Sequence, residues 1–418
     1  MITGKGIGFL IAAIALFFLG RLTQVGWLYL IDAVLWGMLA LSTILPWLGV
    51  AFLDARRRVD QPGAGEGRNG PSEGDSLDIE VTLVNRAFWP RFFLSASYDC
   101  PLAAPDRQRP RFFLGKLPGL DKSLLSSSVV AYQRGLHHLG PIIVESSAPF
   151  GLFRRRIRLG QTQPVLVYPQ IYPLRRLALV DGLAGEVMQR RKSRVGMEIA
   201  GSPPYFPGDP RRHTHWRNTA RAGRPMVKEF EDAQDQALCV LFDATQEWGE
   251  GRDTTLEYGI KVAASVADYA RRQRVSVRLW GGSLTGEVSG ASRAASQEAH
   301  AHSSWTQVLK KLAMVKAGEG PRLTESLGRV PPGSSALVVV PAGDAQSIRG
   351  VGLASAKLHR VIVVALENFG ETEGSVKLLD SLGKARIPVV HCRPGHLLET
   401  FQSLEQLGLR AFEKLKIA

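Results

Sequence analysis

Cysteine is scarce in this chain: Cys100, Cys239 and Cys392 are the only three in 418 residues. An odd count spread so widely excludes both a disulfide scaffold and a four-cysteine zinc site. The phosphate-cradling loop GxxxxGK[ST] is missing, so ATP is not bound in that way, and so is the GxSxG elbow of serine hydrolases. No internal repeat is present. Acidic residues are outnumbered, 38 against 52 Lys and Arg, which leaves a net charge of +14. Much of the excess is local, since residues 151–230 hold sixteen basic residues against five acidic ones. Such a stretch can face anionic lipid, an acidic protein or nucleic acid. With 45% hydrophobic and 22% charged residues the chain is not a disordered one. At roughly 100–200 residues per domain, its length predicts two to four folded units.

What is abundant is apolar sequence at the start. From Gly6 to Leu53 nearly every residue is apolar. As one helix this run would extend about 70 Å at ~1.5 Å per residue, over twice the ~30 Å hydrocarbon core. A break at Arg21–Gly26 divides it into spans near 5–21 and 27–53, so residues 1–58 read as a transmembrane helical hairpin. Trp27, Tyr29 and Trp47 suit interfacial positions, and Asp32 is expected near enough to an end to meet water. A cleaved signal peptide is the rival reading, but no small-x-small cleavage site stands out and a second apolar segment follows at once. Lys5 precedes the first span and Arg56, Arg57 and Arg58 follow the second, against Arg21 alone in the turn. The positive-inside rule then puts both ends and the whole soluble part in the cytoplasm, as a two-span protein of the cytoplasmic membrane.

Residues 59–76, rich in Gly, Pro and Glu, read as a flexible linker. Strict alternation over Leu77–Val84 predicts a strand, with further strands at 91–98, 123–132, 139–146 and 153–159. Their spacing suits an immunoglobulin-like β-sandwich over 77–169. Residues 170–235 are basic and irregular. From 236 to 418 buried strands alternate with helices, beginning with strand 237–242 and helix 254–273, which predicts a doubly wound, mostly parallel α/β sheet. Ligands of such sheets sit at the carboxyl ends of the strands.

The first of those strands ends Leu241-Phe242-Asp243, followed by Thr245 and Glu247. This arrangement resembles the von Willebrand factor A domain, whose adhesion site Asp-x-Ser-x-Ser holds a magnesium ion with a Thr and an Asp from later loops. The resemblance implies Asp243, Thr245, Glu247 and Thr324 as Mg²⁺ ligands, because Mg²⁺ takes hard oxygen donors in an octahedron; the loop Asp is left unassigned, since the third strand ends Val340-Pro341 and Asp344 comes three residues later. Glu in place of the second Ser changes reach and charge. The plainer reading is that Asp243 only orders its loop.

Upstream, Pro207-Gly208-Asp209-Pro210-Arg211-Arg212-His213-Thr214-His215-Trp216-Arg217-Asn218-Thr219-Ala220-Arg221 is similar to the hallmark of the bacterial family catalogued as domain of unknown function 58. Arg134–Pro141, Pro149–Phe153, Val167–Pro169 and the two apolar spans extend that similarity over nearly the whole chain. The family implies a membrane-anchored protein with a von Willebrand-like domain that works beside a MoxR-type AAA+ ATPase. It carries no catalytic activity with it. In the motif, Asp209, Arg211, Arg212, Trp216, Arg217 and Arg221 are partner-docking candidates. The competing reading pairs the arginines internally and packs Trp216 in the core.

Two His-x-His pairs, His213/His215 and His300/His302, would share a face if extended, but no Cys or clustered carboxylate stands near to complete a zinc site. Cys392 beside His391 is no dyad, because strand neighbours point to opposite faces. The expected function is a non-enzymatic, membrane-anchored adaptor whose α/β domain binds a protein, with no nucleic acid involved. The alternatives are a metal-dependent hydrolase, or binding of anionic lipid or nucleic acid through 151–230.

Overall fold

Length and apolarity shape the first elements. In the computed structural model, which describes residues 2–60, 70–192, 199–201, 204–205, 214–227, 229–230, 237–282, 284–288, 298–370 and 376–415, the chain forms two compact units, Met1–Gln170 and Ile171–Ala418. The apolar run folds as α1 (Gly4–Thr23) and α2 (Gly26–Val50), both long and apolar enough to cross a bilayer. Thr3 caps α1 by accepting the Gly6 N–H at 3.2 Å. Gln24 ends it in the left-handed region, its N–H returning to the Gly20 carbonyl. Asp32, expected near water, is instead 6% exposed, because the pairing of the two helices covers the seventh residue of α2.

The second helix stops at Val50 rather than Leu53. Phe52 turns the chain with φ +58°, and β1 (Leu53–Asp60) begins at once. This strand pairs antiparallel along its whole length with β2 (Ser76–Asn85), from Leu53 opposite Asn85 to Asp60 opposite Asp78. Residues assigned from sequence to the hairpin and the linker are therefore part of a sheet: three successive arginines masked the inward Leu53 and Ala55. Residues 61–69 of the expected linker lie outside the described residues. Its end is packed, with Ser72 and Glu73 buried.

The strands β3 (Arg91–Ser97), β4 (Arg111–Leu117), β5 (Lys122–Val130), β6 (Gly135–Leu139), β7 (Ile142–Ser146), β8 (Arg155–Leu159) and β9 (Gln163–Val167) follow. They form antiparallel sheets in the orders β1-β2-β5, β4-β3-β7-β8 and β6-β9. Leu77, Ile79, Val81 and Leu83 of β2 meet Leu94 and Ala96 of β3 and Val144 of β7 in one core. Burying one face per strand is what the period-two alternation required.

In the second unit α3 (Ala178–Lys192), a short ladder of β10 (Ile199–Gly201) with β11 (Glu229–Phe230), and α4 (Trp216–Ala222) come first. Then β12 (Leu238–Phe242), the small hairpin β13 (Gly249–Glu250) and β14 (Asp253–Thr254), α5 (Thr255–Arg272), β15 (Val277–Gly281) and β16 (Leu284–Val288) follow. The remainder is α6 (Glu298–Met314), α7 (Leu323–Gly328), β17 (Ser335–Pro341), α8 (Ala345–Ser355), β18 (Arg360–Leu366), α9 (Val376–Lys384), β19 (Val389–Cys392) and α10 (Leu397–Leu415). The main sheet has the order β16-β15-β12-β17-β18-β19, with five parallel strands and β16 antiparallel at one edge. The order reverses between β12 and β17. The short strand β11 does not join this sheet, since it pairs with β10 alone among the described strands.

Helix α5 is buried almost all round, from Thr255 to Ala267. One side lies on β12, β15, β17 and β18. Another is held by the start of the basic connecting region: the Tyr172 N–H donates to Ser265 Oγ at 2.9 Å, and the Tyr269 hydroxyl donates to Asp181 at 2.7 Å. The first part of that region therefore belongs to the α/β unit. Gly281 lies against the Phe242 ring so closely that any Cβ would collide with it. Gly281→Ala should destabilise this unit by about 1–3 kcal/mol, read as a lower unfolding midpoint in denaturant, whereas Gly352→Ala, whose Cβ has ordinary contact room, should not.

Candidate functional site

The reversal of strand order opens a crevice between the carboxyl ends of β12 and β17, the place where open α/β sheets bind ligands. Asp243 follows the last residue of β12, and Asp344 follows β17 by three residues. Asp243 is 5% exposed, and the Asp344 carboxyl lies within hydrogen-bonding reach of it. The Thr245 N–H and hydroxyl both donate to Asp243 Oδ1 at 2.7 Å. Asp344 is the N-cap of α8, its Oδ1 accepting the Gln346 and Ser347 N–H groups at 3.0 and 3.1 Å. Each carboxylate thus engages one oxygen with local donors. Burial raises the Asp243 carboxyl above the ordinary Asp range; the two bonds from Thr245 oppose this and the Asp344 charge adds to it.

Two carboxylates and a hydroxyl are hard oxygen donors of the kind Mg²⁺ takes, and a divalent cation would relieve the repulsion between the acids. Asp243, Thr245 and Asp344 fit such an ion. Glu247 is exposed on the loop beyond them. Thr324 sits in α7 with its methyl so near Gly350 of α8 that a Cβ there would lie 2.9 Å away. Gly350 is six residues along α8 from its Asp344 cap, so Thr324 packs a helix pair. Among the described residues, no group of three His, Cys, Asp or Glu side chains is placed to hold a metal. The importance of Asp344 was legible only weakly in sequence, as an Asp followed by a helix after an apolar strand.

Neighbouring loops are tied to the same edge of the sheet. The Tyr258 hydroxyl accepts the Gly395 N–H at 2.7 Å and donates to Asp253 at 3.1 Å, and burial pushes its pKa up to about 12. His391 bonds Glu367 at 2.6 Å on the exposed side of β19, while Cys392 is buried with its thiol pushed up to about 11 by that burial. The two face opposite ways, as alternation requires.

Of the motif residues, Asp209, Arg211, Arg212 and His213 lie outside the described residues. His215 caps α4, its Nδ1 accepting the Asn218 N–H at 3.1 Å. Trp216 is 75% exposed, which corrects the expectation that it packs in the core. A seven-residue helix held at its base by Thr219 and Met226 leaves its first residue outside, with Arg217 and Arg221 exposed beside it. His300 and His302 lie in α6, where residues two apart are about 200° around the axis, so they lack the extended spacing of a ligand pair. The basic stretch 151–230 is divided between the two units, Arg154–Arg158 in the first and Arg175 onward in the second.

Residues 202–329 match the family model described as "Protein of unknown function DUF58". The match runs from the motif through β12 to α7 and so takes in Asp243 and Thr245 but not Asp344. A relative in Bacillus subtilis (strain 168), "Uncharacterized protein YeaD", is 25% identical over 178 residues. That alignment covers 41% of this chain and 44% of the relative, so the chain spans less than half the relative's length. Among solved structures, a GH20 exo-β-N-acetylglucosaminidase from Vibrio harveyi aligns over 79% of this chain and 60% of its own at 10% identity, with a TM-score of 0.20. The alkylpurine DNA glycosylase AlkC of Pseudomonas fluorescens aligns over 31% and 38% at 15% identity, with a TM-score of 0.17. Likenesses of that size bear on neither fold nor activity.

Two outcomes follow from the geometry. A folded-state carboxyl that holds its proton more tightly than the unfolded one favours folding below the ordinary Asp range, and loses that contribution as pH rises through the raised value. Asp243→Asn, which keeps an oxygen for Thr245, should therefore melt higher than the parent near neutral pH. The gap should close as pH falls towards about 4; a gap that is constant with pH would mean Asp243 ionises normally. Trp216→Ala should change stability by less than about 0.5 kcal/mol, since a larger loss in a denaturant titration would require the ring to be packed.

Proposed function

We propose, for a chain that belongs through residues 202–329 to the family of proteins of unknown function DUF58, that it is a membrane-anchored adaptor whose C-terminal domain docks another protein. The observation that carries this reading is the pair Asp243–Asp344 at the strand reversal, one of them buried. Concentrated negative charge in a crevice awaits a counter-charge. It can be a divalent cation with positions left for a partner's carboxylate, or a basic side chain of the partner directly. The strand order, with its single antiparallel edge, supports a von Willebrand factor A-like domain, and the two-sheet unit before it supports an immunoglobulin-like sandwich.

In this reading α1 and α2 span the cytoplasmic membrane, and Lys5 and Arg56–Arg58 hold both ends in the cytoplasm. The resemblance to the family makes a MoxR-type AAA+ ATPase the partner to test first. Exposed Trp216, Arg217 and Arg221 offer a second contact, since Trp and Arg are the side chains that anchor protein interfaces. A hydrolytic role is less well supported: activating water calls for a general base beside the ion, and no third acid or histidine joins the pair among the described residues.

The test is capture of partners by tagged full-length protein from detergent-solubilised membranes, with and without ATP and with Mg²⁺ or chelator, read by mass spectrometry. Enrichment of an AAA+ ATPase that falls at least about tenfold, roughly 1.4 kcal/mol, in Asp243→Asn and Asp344→Asn, both still folded by circular dichroism at the temperature of the capture, is the expected result. Capture that survives both substitutions would rule the crevice out as the docking site. A loss under chelator would identify the cation-bridged form.

A further inference from the structure

Outside α1 and α2, the exposed rings of the first unit fall into two groups: Phe92, Phe93 and Phe113 along β3 and β4, and a second set, with Phe52, Phe88 and Phe150, at one end. Register fixes the end. Leu53 pairs with Asn85, Arg91 with Leu117, and Ser146 with Arg155, so the exit of α2, loop 86–90, turn 118–121 and loop 147–154 all lie together. They are bonded to each other and to both helices. The Arg86 N–H donates to the Phe52 carbonyl at 3.0 Å, and Leu120 N–H to Ala87 at 2.8 Å. Arg91 reaches the Ala51 carbonyl at 2.7 Å, and Thr3, which caps α1, donates to the Gly151 and Leu152 carbonyls at 2.9 Å. Leu152 and Phe153 pack against Phe9 and Leu10, in the first two turns of α1.

At this end Phe88 is 79% exposed, Leu120 73%, Phe52 65% and Phe150 42%. Trp89 stands edge-on between Phe52 and Phe88, with ring centroids 6.4 and 4.5 Å away. An apolar surface of this kind is rare on a soluble face. Covalent geometry says what it meets. The 25 residues of α2 extend about 37 Å at ~1.5 Å each, against a ~30 Å hydrocarbon core and headgroup layers of roughly 5–8 Å. Phe52, two residues past the helix, is therefore at headgroup depth, and the loops bonded to it lie at its level. Around the rings Arg86, Lys116, Lys122, Arg154 and Arg155 are exposed, against Asp54, which pairs with Arg86, Glu145, which pairs with Arg154, and Asp121, a positive excess that suits an anionic inner leaflet.

Resting on the two-span reading, we infer that this end of the sandwich is seated in the lipid interface, with Phe52, Phe88, Leu120 and Phe150 inserted among the headgroups. The hairpin and sandwich then form one body with a lipid-facing floor. The occupant of the aromatic surface is bilayer lipid.

The three native cysteines are buried, so single introduced cysteines can be labelled selectively in the full chain. A bimane label at Phe88→Cys, Leu120→Cys, Leu41→Cys in α2 and Val130→Cys, which pairs with Ser76 at the opposite end of β2, is read in phosphatidylcholine–phosphatidylglycerol vesicles containing nitroxide lipid. Labels at 88 and 120 should lose about half their emission to a nitroxide near the headgroup, where interfacial aromatics reside. The label at 41 should lose its emission to a nitroxide deep in the acyl chains, and the label at 130 should respond to neither. Labels at 88 and 120 as bright as that at 130, with 41 still quenched, would overturn the seating and leave the spans intact. A bright label at 41 as well would remove the two-span reading and this inference with it. Labels at 88 and 120 that escape lipid quenching yet are shielded from aqueous iodide would assign the surface to a second copy of the chain and overturn the lipid seating.

Discussion

The α/β unit is organised around two acids that meet where its strand order reverses. Chain direction brings them there: β12 and β17 run parallel and adjacent, yet the crossovers leave them towards opposite edges of the sheet, which opens a crevice at their carboxyl ends. Asp243 is held in that gap by its own loop, through two bonds from Thr245, and Asp344 by the N-terminus of α8. Among the described residues, neither is placed by a cationic side chain. Their positions are fixed by backbone and hydroxyl donors, which leaves the charge itself to be answered from outside.

Rigidity beneath the pair comes from α5. A helix lying on one sheet exposes its outer side, but this one has Leu256, Ile260, Ala263 and Val266 buried together with Ser265, and the segment from Tyr172 to Asp181 bonded across it. The Tyr172 ring also lies tilted against Phe401 of α10, at 5.2 Å between centroids, and the Arg175 N–H donates to Glu405 at 2.7 Å. Polar groups on a buried helix are tolerated only when bonded, and Ser265 shows the arrangement: it accepts from Tyr172 and donates to the Lys261 carbonyl at 2.7 Å. The strand ends that carry the acids are thereby fixed from both sides.

Much of this was legible in the residues. Runs such as Leu238–Phe242 and Ala336–Val340 are apolar throughout because both sheet faces are covered, and such runs announce parallel strands. The alternation of Leu77, Ile79, Val81 and Leu83 announced a one-faced strand equally well. What failed was burial decided by distant partners. Arg56–Arg58 read as a membrane flank and a linker, yet β2 supplies a register that makes them a strand. Trp216 read as core because Trp commonly is; its exposure depends on how short α4 is and where it is held. Thr324 suited a ligand by type, and its packing against Gly350 follows from a helix pair that no local pattern reveals. Asp344 needed the converse: its nearness to Asp243 is a tertiary fact, carried by a register of parallel strands almost a hundred residues apart.

The sandwich raises a question of mechanics that the strand at the exit of α2 answers. A flexible linker directly after a membrane helix would uncouple the soluble domains from the bilayer. Here the helix passes through two residues into β1, which lies beside β2 over eight paired positions, and loop 147–154 returns to grip the start of α1. These contacts are ladder bonds in the sheet and bonds from the Thr3 N–H and hydroxyl to backbone carbonyls, so freeing the hairpin from the sheets would break several at once and expose Leu53, Ala55 and Leu152, all buried. The hairpin and the sandwich therefore move together. If α1 and α2 span a bilayer as proposed, the first unit takes its orientation there from two helices and not from a tether.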